Sequence, residues 1–365
     1  MPAPRSSPIG GEPSPTPAPD PSTARSSPPH HRNEAGVNIV TLDPVAYQPY
    51  NDPDDFIREV TDLIWVDRSI SFIRENYEPD SIVHGGFGTA TTRDEVLEGT
   101  LMRIAEAPDR VSQTEDIIWE QRGGDAFLSS HLVVVGDLLS PRWSRTIANC
   151  LYRRGRMVEE WVVRDTLAEA LQNGLDPDEL AREHLFRGYV ASWAHAAPAD
   201  PIAAGDSGPR PNERRAEVQT VLDLIRTVWN ERDLNAVEQY FHRDLTLITV
   251  GNRHIIRPEG YRRALLSLLE SFPAGRFEVR DVQVNDDVRY AGLRIAVTWK
   301  FVGDYTGKPH YGPLTGKPID LLGISQFTLH EGRIVKEVRL WDDIALRTQI
   351  ASMRGDDPVG PSNIY

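Results

Sequence analysis

The sequence predicts an α+β protein in which one plan, helices followed by an antiparallel sheet, is used twice. Three observations carry this expectation. At 365 residues the chain is too long for one ordinary hydrophobic core. In each half, apolar residues first recur at helical spacing and then alternate with period two. Finally, the halves share sequence at fixed offsets. Gly155-Arg156-Met157-Val158-Glu159-Glu160 is answered 177 residues later by Gly332-Arg333-Ile334-Val335-Lys336-Glu337, and seven of the 18 positions from 155 to 172 are identical. At the same offset Asp165 meets Asp342, Ala168 meets Ala345 and Gln172 meets Gln349. Nearer the front, Trp65-x-Asp67-Arg68 is answered by Trp229-x-Glu231-Arg232.

Residues 1–48 read as a tail, mobile or strap-like. Ten of the 28 prolines lie in the first 30 residues and the first aromatic is Tyr47, so little apolar area offsets the entropy of ordering. His30 and His31 are adjacent but have no third ligand in reach. The first domain, 49–187, opens at Asp52, which suits the idle N–H groups of a helix, with Pro53 at the first helical position. Phe56, Val60, Leu63 and Ile64 then share a face. A short helix over Ser69–Tyr77 follows, and another from Thr92, with Glu95 completing a capping box. Past Pro108, Val111–Glu120, Ala126–Val135, Ser144–Arg153 and Met157–Val163 read as strands. Asp176 starts a helix to about His195, and 188–212 are its end and a proline-containing linker. The second domain, 213–352, repeats the plan. Its helices carry Val218, Val221, Leu222 and Ile225, then Tyr261, Leu265 and Leu269 after Pro258; its strands are Arg276–Val284, Ala291–Phe301, Ile319–Leu329 and Ile334–Trp341. Residues 353–365 are a C-terminal tail.

Composition excludes several classes. The formal charge of 40 − 54 = −14 argues against a partner held mainly by phosphate contacts, so no nucleic acid is expected. A single cysteine, Cys150, excludes an intrachain disulfide framework and a four-thiolate zinc site. No stretch approaches the roughly 20 apolar residues that span a bilayer, and Met1–Ala35 has no apolar leader core. A cytoplasmic protein without a membrane partner is the expectation. His-x-His, HExxH and EF-hand patterns are missing, as are GxxxxGK[ST] and Gly-x-Ser-x-Gly. Phe301–Lys308 reads as a hairpin loop, and neither a metal nor a cofactor is expected.

The candidate chemistry sits at the end of each last strand. Alternation puts Glu159, Trp161, Val163 and Asp165 on one face, and Val338, Leu340 and Asp342 on the matching one. An aspartate continuing an apolar face points towards apolar surroundings, where burial raises its pKa and makes it a usable acid or base. Arg164 and Asp343 should then face away. In the other reading Asp165 and Asp342 are helix caps, and duplication copies a cap as faithfully as a site. On the neighbouring strands Asn149 and Gln326 could orient a substrate carbonyl or be core amides satisfied by backbone. Arg145 is matched by Leu322, so a first cavity holding Arg145 would prefer an anion or pair it with Asp165. His84 and His131 could be acid–base partners of Asp165 or satisfied structural residues, and His254 lies roughly where His84 does. Tyr311, in a strand–strand loop, reaches substrate only if that loop closes over a pocket.

The run Gly155–Asp165 resembles the closing strand of SnoaL-like polyketide cyclases, a branch of the NTF2-like superfamily. Gly332–Asp342, with Gly312–Lys317 upstream, resembles it also. The resemblance covers about residues 52–175 and 213–352. It implies two NTF2-like cones, each with helices packed on a strongly curved antiparallel sheet around a hydrophobic pocket. It implies the chemistry of aldol-type cyclases, ketosteroid isomerases, dehydratases or epoxide hydrolases, with the acid/base aspartate at the place of Asp165 and Asp342. The histidine that accompanies this aspartate in cyclases has no clear counterpart among Asn149, Cys150, Gln326 and Thr328. The expected function is a cofactor-free lyase, isomerase or cyclase acting through an aspartate on a small apolar, carbonyl-bearing molecule, with Arg145, Asn149, Trp161, Gln326 and Tyr311 as substrate contacts. The alternatives are a non-catalytic binding or assembly protein, and a hydrolase whose aspartate activates water. Sheet-to-sheet pairing in the superfamily implies a homodimer or an intrachain pseudo-dimer.

Overall fold

A computed structural model of the protein describes residues 42–137, 140–187, 216–285 and 289–354. Residues 1–41 of the expected tail, the whole expected linker and the chain after 354 lie outside the described residues, whereas Leu42 and Ala46, expected in the tail, pack into the first core. The first module holds α1 (Pro53–Trp65), α2 (Ser71–Asn76), the hairpin β1 (Tyr77–Gly85) and β2 (Gly88–Ala90), then α3 (Arg93–Glu106). Strands β3 (Arg110–Gln121), β4 (Ala126–Asp137), β5 (Ser140–Arg153) and β6 (Arg156–Arg164) follow, with α4 (Thr166–Gln172) and α5 (Pro177–Phe186) after them. The second module starts with α6 (Ala216–Leu224), which runs into a π-helical turn over Ile225–Asn230, and α7 (Val237–Tyr240). It continues through β7 (Phe241–Thr249), β8 (Arg253–Ile256), α8 (Arg257–Leu269), β9 (Arg276–Asn285), β10 (Leu293–Asp304), β11 (Pro318–His330), β12 (Arg333–Trp341) and α9 (Asp343–Arg354).

Caps place the helices. Asp52 accepts the Asp55 N–H at 3.0 Å to start α1, and Thr92 accepts the Glu95 N–H at 3.3 Å to start α3. Phe56, Ile57, Val60 and Ile64 then turn into the first core. The repeated Trp–Arg motif closes a helix in each module. Arg68 and Arg232 adopt φ of 59° and 65°, and their guanidiniums donate back to the Trp65 and Trp229 carbonyls. Each also reaches a carbonyl near the first long strand, Arg110 O and Gly275 O.

Both sheets have six strands in the same order, β2-β1-β6-β5-β4-β3 and β8-β7-β12-β11-β10-β9. They are mixed rather than antiparallel throughout, because β1 runs parallel to β6 and β7 parallel to β12. The sequence reading missed both hairpins. Register slips between Tyr77 and Ile82 against β6, and between Ile334 and Lys336 against β7, break the period-two pattern.

Each sheet is covered on both faces. Helices pack on one, and the other meets the opposite sheet. Leu128, Leu132, Ile147, Trp161 and Val163 from the first module and Ile248, Leu322, Ile324, Val338 and Leu340 from the second form that shared apolar layer. Polar bridges cross it: Arg122 pairs with Asp281 at 2.9 Å and Lys336 with Glu115 at 3.1 Å. The two sheets thus pack face to face within one chain.

Candidate functional site

The two cones are filled differently. In the first, a cavity of about 640 Å³ opens between α1, α3, α5 and the helix-facing side of the sheet. An inner lobe of about 80 Å³ continues it past Val133, Thr146 and Ala148. Ile57, Val60, Ile64, Ile73 and Val83 supply apolar wall. On β6, strand alternation aims Glu160, Val162 and Arg164 at the cavity, and Cys150 stands opposite Glu160 on β5. Glu160, Arg164, Arg103 and His131 line both the main cavity and the lobe, so charge collects where the two meet.

Burial governs the electrostatics there. It raises the Glu160 carboxyl above its ordinary range, opposed by the Arg164 charge. Among the described residues no donor comes within hydrogen-bonding distance of that carboxylate. Desolvation, reinforced by Arg103, brings Arg164 down to about 10, which leaves it protonated at neutral pH. Desolvation also takes His131 down to about 4, so its imidazole is neutral, and its Nδ1 has no hydrogen-bond partner among the described residues. The Tyr77 and Tyr152 phenols also line the cavity, and burial followed by neighbouring charge pushes them well up, so both stay protonated.

The residues singled out from the sequence lie mostly on the opposite face. Asp165 is a cap that also bridges modules: it accepts from Ala168 N at 3.1 Å and from Gly251 N and Asn252 N at 2.7 Å each. Burial raises its pKa, opposed by those three N–H groups. Asp342 likewise caps α9 through Ala345 N at 3.0 Å and accepts the Thr166 hydroxyl at 2.5 Å; burial moves it to about 6. Gln172 and Gln349, also repeated, clamp the backbone of Trp143 and Asp320. The repeated signature therefore encodes caps and clamps, and neither aspartate points into a cone.

The remaining expectations need the same correction of face. Asn149 donates to Thr298 Oγ1 at 2.6 Å and Gln326 to the Ser130 carbonyl at 3.0 Å, both across the inter-sheet layer. Trp161 stacks on His84, whose Nε2 lies 2.7 Å from Glu159 on that same face. Arg145 pairs with Glu115 at 2.9 Å and with Asn252, not with the Asp165 carboxylate. His254 is exposed on β8 with its ring against Trp143, and the register puts Ile248, not His254, at the place of His84. Tyr311 is packed in the second core beside Phe272 and Tyr305. Of the expected site residues only His131 reaches the cavity, and Asp165 is not its partner there. Arg164, expected to face away, faces in.

Comparison with known proteins places the second module. The family model described as SnoaL-like polyketide cyclase matches residues 219–350. Those residues are a SnoaL-like domain. The first module repeats its strand order. Among solved structures, a candidate SnoaL-like polyketide cyclase from Jannaschia sp. CCS1 is 23% identical, covering 40% of this chain and 99% of its own, with a TM-score of 0.35. IdmH, a candidate polyketide cyclase from Streptomyces antibioticus, is 17% identical over 39% of this chain and 99% of its own, TM-score 0.32. AclR, a candidate hydroxylase from Streptomyces galilaeus, is 16% identical over 40% and 85%, TM-score 0.32. No curated protein matches.

Inside the second SnoaL-like cone, large rings take the space that stays open in the first. Trp229, Phe277, Trp299 and Phe301 are buried, and Trp299 lies over Gly323, where a Cβ would come within 2.0 Å of its ring. Register puts Val133 and Thr146 at those two places in the first cone. Glu337, matching Glu160, pairs with Arg339 at 2.9 Å, and Arg339 lies 4.7 Å from the Trp229 ring centroid. Trp341 stands where the first module has Arg164. Among the described residues no group of three or more His, Cys, Asp or Glu could hold a metal ion, and no helix is long and apolar enough to cross a membrane. Sequence reasoning could have reached Glu160 through its identical repeat partner Glu337; the unmatched Arg164 was the second available signal.

Proposed function

We propose that the first cone is a small-molecule site for cofactor-free proton transfer, with Glu160 as the proton-carrying group. The observation that carries this reading is a half-buried carboxylate that faces a ligand-sized cavity and accepts no hydrogen bond from the described residues, while its repeat partner Glu337 is tied to Arg339. In the proposed step Glu160 takes a proton from carbon next to a carbonyl, and the C–H electron pair moves onto the carbonyl oxygen. The protonated phenols of Tyr77 and Tyr152 offer donors to the developing oxyanion. Return of the proton to another carbon gives isomerisation. Its delivery to a leaving oxygen gives dehydration, and attack of the carbanion on a second carbonyl gives ring closure. The family of the second module supports this reaction class, and the aspartate mechanism expected from the sequence is replaced by a glutamate one. The filled second cone acts as the scaffold against which the first is held.

The test is α-proton exchange in D2O, followed by NMR, with β-tetralone and benzoylpropionate as probes. The full chain should accelerate exchange of at least one probe, and Glu160→Gln should slow it about 10²–10⁴-fold while leaving the far-UV spectrum unchanged. Acceleration retained in that variant, or no acceleration of either probe by the parent protein, would refute the proposal.

A further inference from the structure

We infer that the ligand of this cavity is an organic monoanion, a carboxylate on a largely apolar body, held by Arg164 and Arg103; this rests on the first cone being the ligand site. Several buried and half-buried arginines elsewhere in the chain are paired with carboxylates. Arg145 has Glu115 at 2.9 Å, Arg122 has Glu120 and Asp281 at 2.9 Å, Arg339 has Glu337 at 2.9 Å, and Arg294 has Asp116. Such pairing is the rule, because a guanidinium keeps its charge at any physiological pH and a buried charge without a counter-ion is costly. Arg164 and Arg103 break it. Both line the cavity and its inner lobe, and among the described residues neither has a hydrogen bond or an ion pair. The Arg103 charge lowers the Arg164 pKa, and the carboxylates of Glu160, Asp342 and Glu169 act in the opposite direction. Two guanidiniums that line one apolar cavity, neither held in an ion pair among the described residues, form a cradle for an anion.

The fold does not require this cation pair. Trp341 takes the place of Arg164 in the second cone, which packs tightly without a guanidinium there. Charge counting then selects the class of anion. Where the cavity and its lobe share lining, Arg103, Arg110 and Arg164 face Glu160 and Glu169, one more cation than anions, and Glu95, Glu106 and Arg187 line the outer cavity only. One net positive charge suits a monoanion. A phosphate dianion would face Glu160 and Glu169 with its second charge uncompensated. A carboxylate also matches the planar two-donor fork of arginine. The apolar wall of Ile57, Val60, Ile64 and Ile73 accommodates the remainder of the molecule.

The experiment compares acids with their own esters. Calorimetric titration of the full chain with phenylpyruvate, benzoylpropionate and naphthylacetate, and with the methyl ester of each, isolates the charge from the shape. The expected result is that at least one acid binds at about 1 mM or tighter and its ester at least tenfold more weakly. Arg164→Gln and Arg103→Gln should each weaken that acid by about tenfold or more and leave ester binding unchanged, which also shows the variants to be folded. The inference is overturned if ester and acid bind alike, if no acid binds at that concentration, or if the double variant keeps the acid's affinity. Failure here is separable from failure of the proton-transfer reading. Acid-selective binding with exchange unaffected by Glu160→Gln sinks only the latter; Glu160-dependent exchange without acid preference sinks only this inference.

Discussion

If the two cones share one register and differ in filling, transplanting the filler should close the open cone. The perturbation is Val133→Trp with Thr146→Gly, which copies Trp299 over Gly323 into the first module. Val133→Trp alone forces an indole against Thr146; at the matched glycine a Cβ would sit 2.0 Å from the ring. Overpacking of this kind costs about 1–3 kcal/mol. Thr146→Gly alone removes a β-branched residue from mid-strand, at about 1 kcal/mol. Together, the indole gains its slot and buries roughly 100 Å² more apolar surface than valine, contributing about 2.5 kcal/mol. Ordering the ring and keeping the glycine offset about 2 kcal/mol of that. The double variant should therefore lie within about 1 kcal/mol of the parent, although the single losses sum to about 2–4 kcal/mol. Urea denaturation of all four proteins, read by far-UV circular dichroism, gives the coupling directly. A coupling energy below about 0.5 kcal/mol would show that these positions do not face one another as the register demands.

Two further outcomes test the assignments made to individual residues. Asp165→Ala removes the acceptor of three backbone N–H groups and should lower stability by about 3 kcal/mol, seen in the urea midpoint, while α-proton exchange per folded molecule is unchanged; loss of exchange in the folded variant would return chemistry to that aspartate. His131 is held down to about 4, below its ordinary value near 6.5, so between those pH values the folded state binds fewer protons than the unfolded one. Its contribution is therefore complete above about pH 6.5 and lost as pH falls towards 4, on the order of 3 kcal/mol in all. In His131→Asn the urea midpoint should lose that part of its acid sensitivity; identical pH profiles would exclude the burial of a neutral imidazole.

Several features were legible in the residues alone because they depend on local chemistry. The Asp52 and Thr92 caps, the eight long strands and the duplication announce themselves through short-range spacing, and all are found. The hairpins Tyr77–Ala90 and Phe241–Ile256 were not, since bulges interrupt the alternation by which strands are recognised. For the site, alternation sorted β6 into two faces, Glu159-Trp161-Val163-Asp165 and Glu160-Val162-Arg164, and went no further.

The sequence by itself determined that this protein is an α+β duplication, and which side chains share a face of each strand. Only the tertiary structure decided what covers each face. An apolar strand face reads the same whether it lines a pocket or meets another sheet, because burial selects for greasy residues in both cases. Here the greasier face of β6 is spent on the second module, and the face bearing Glu160 and Arg164 surrounds the cavity. Which cone stays open was also a tertiary outcome, set by rings such as Trp299 that reach across strands distant in the chain.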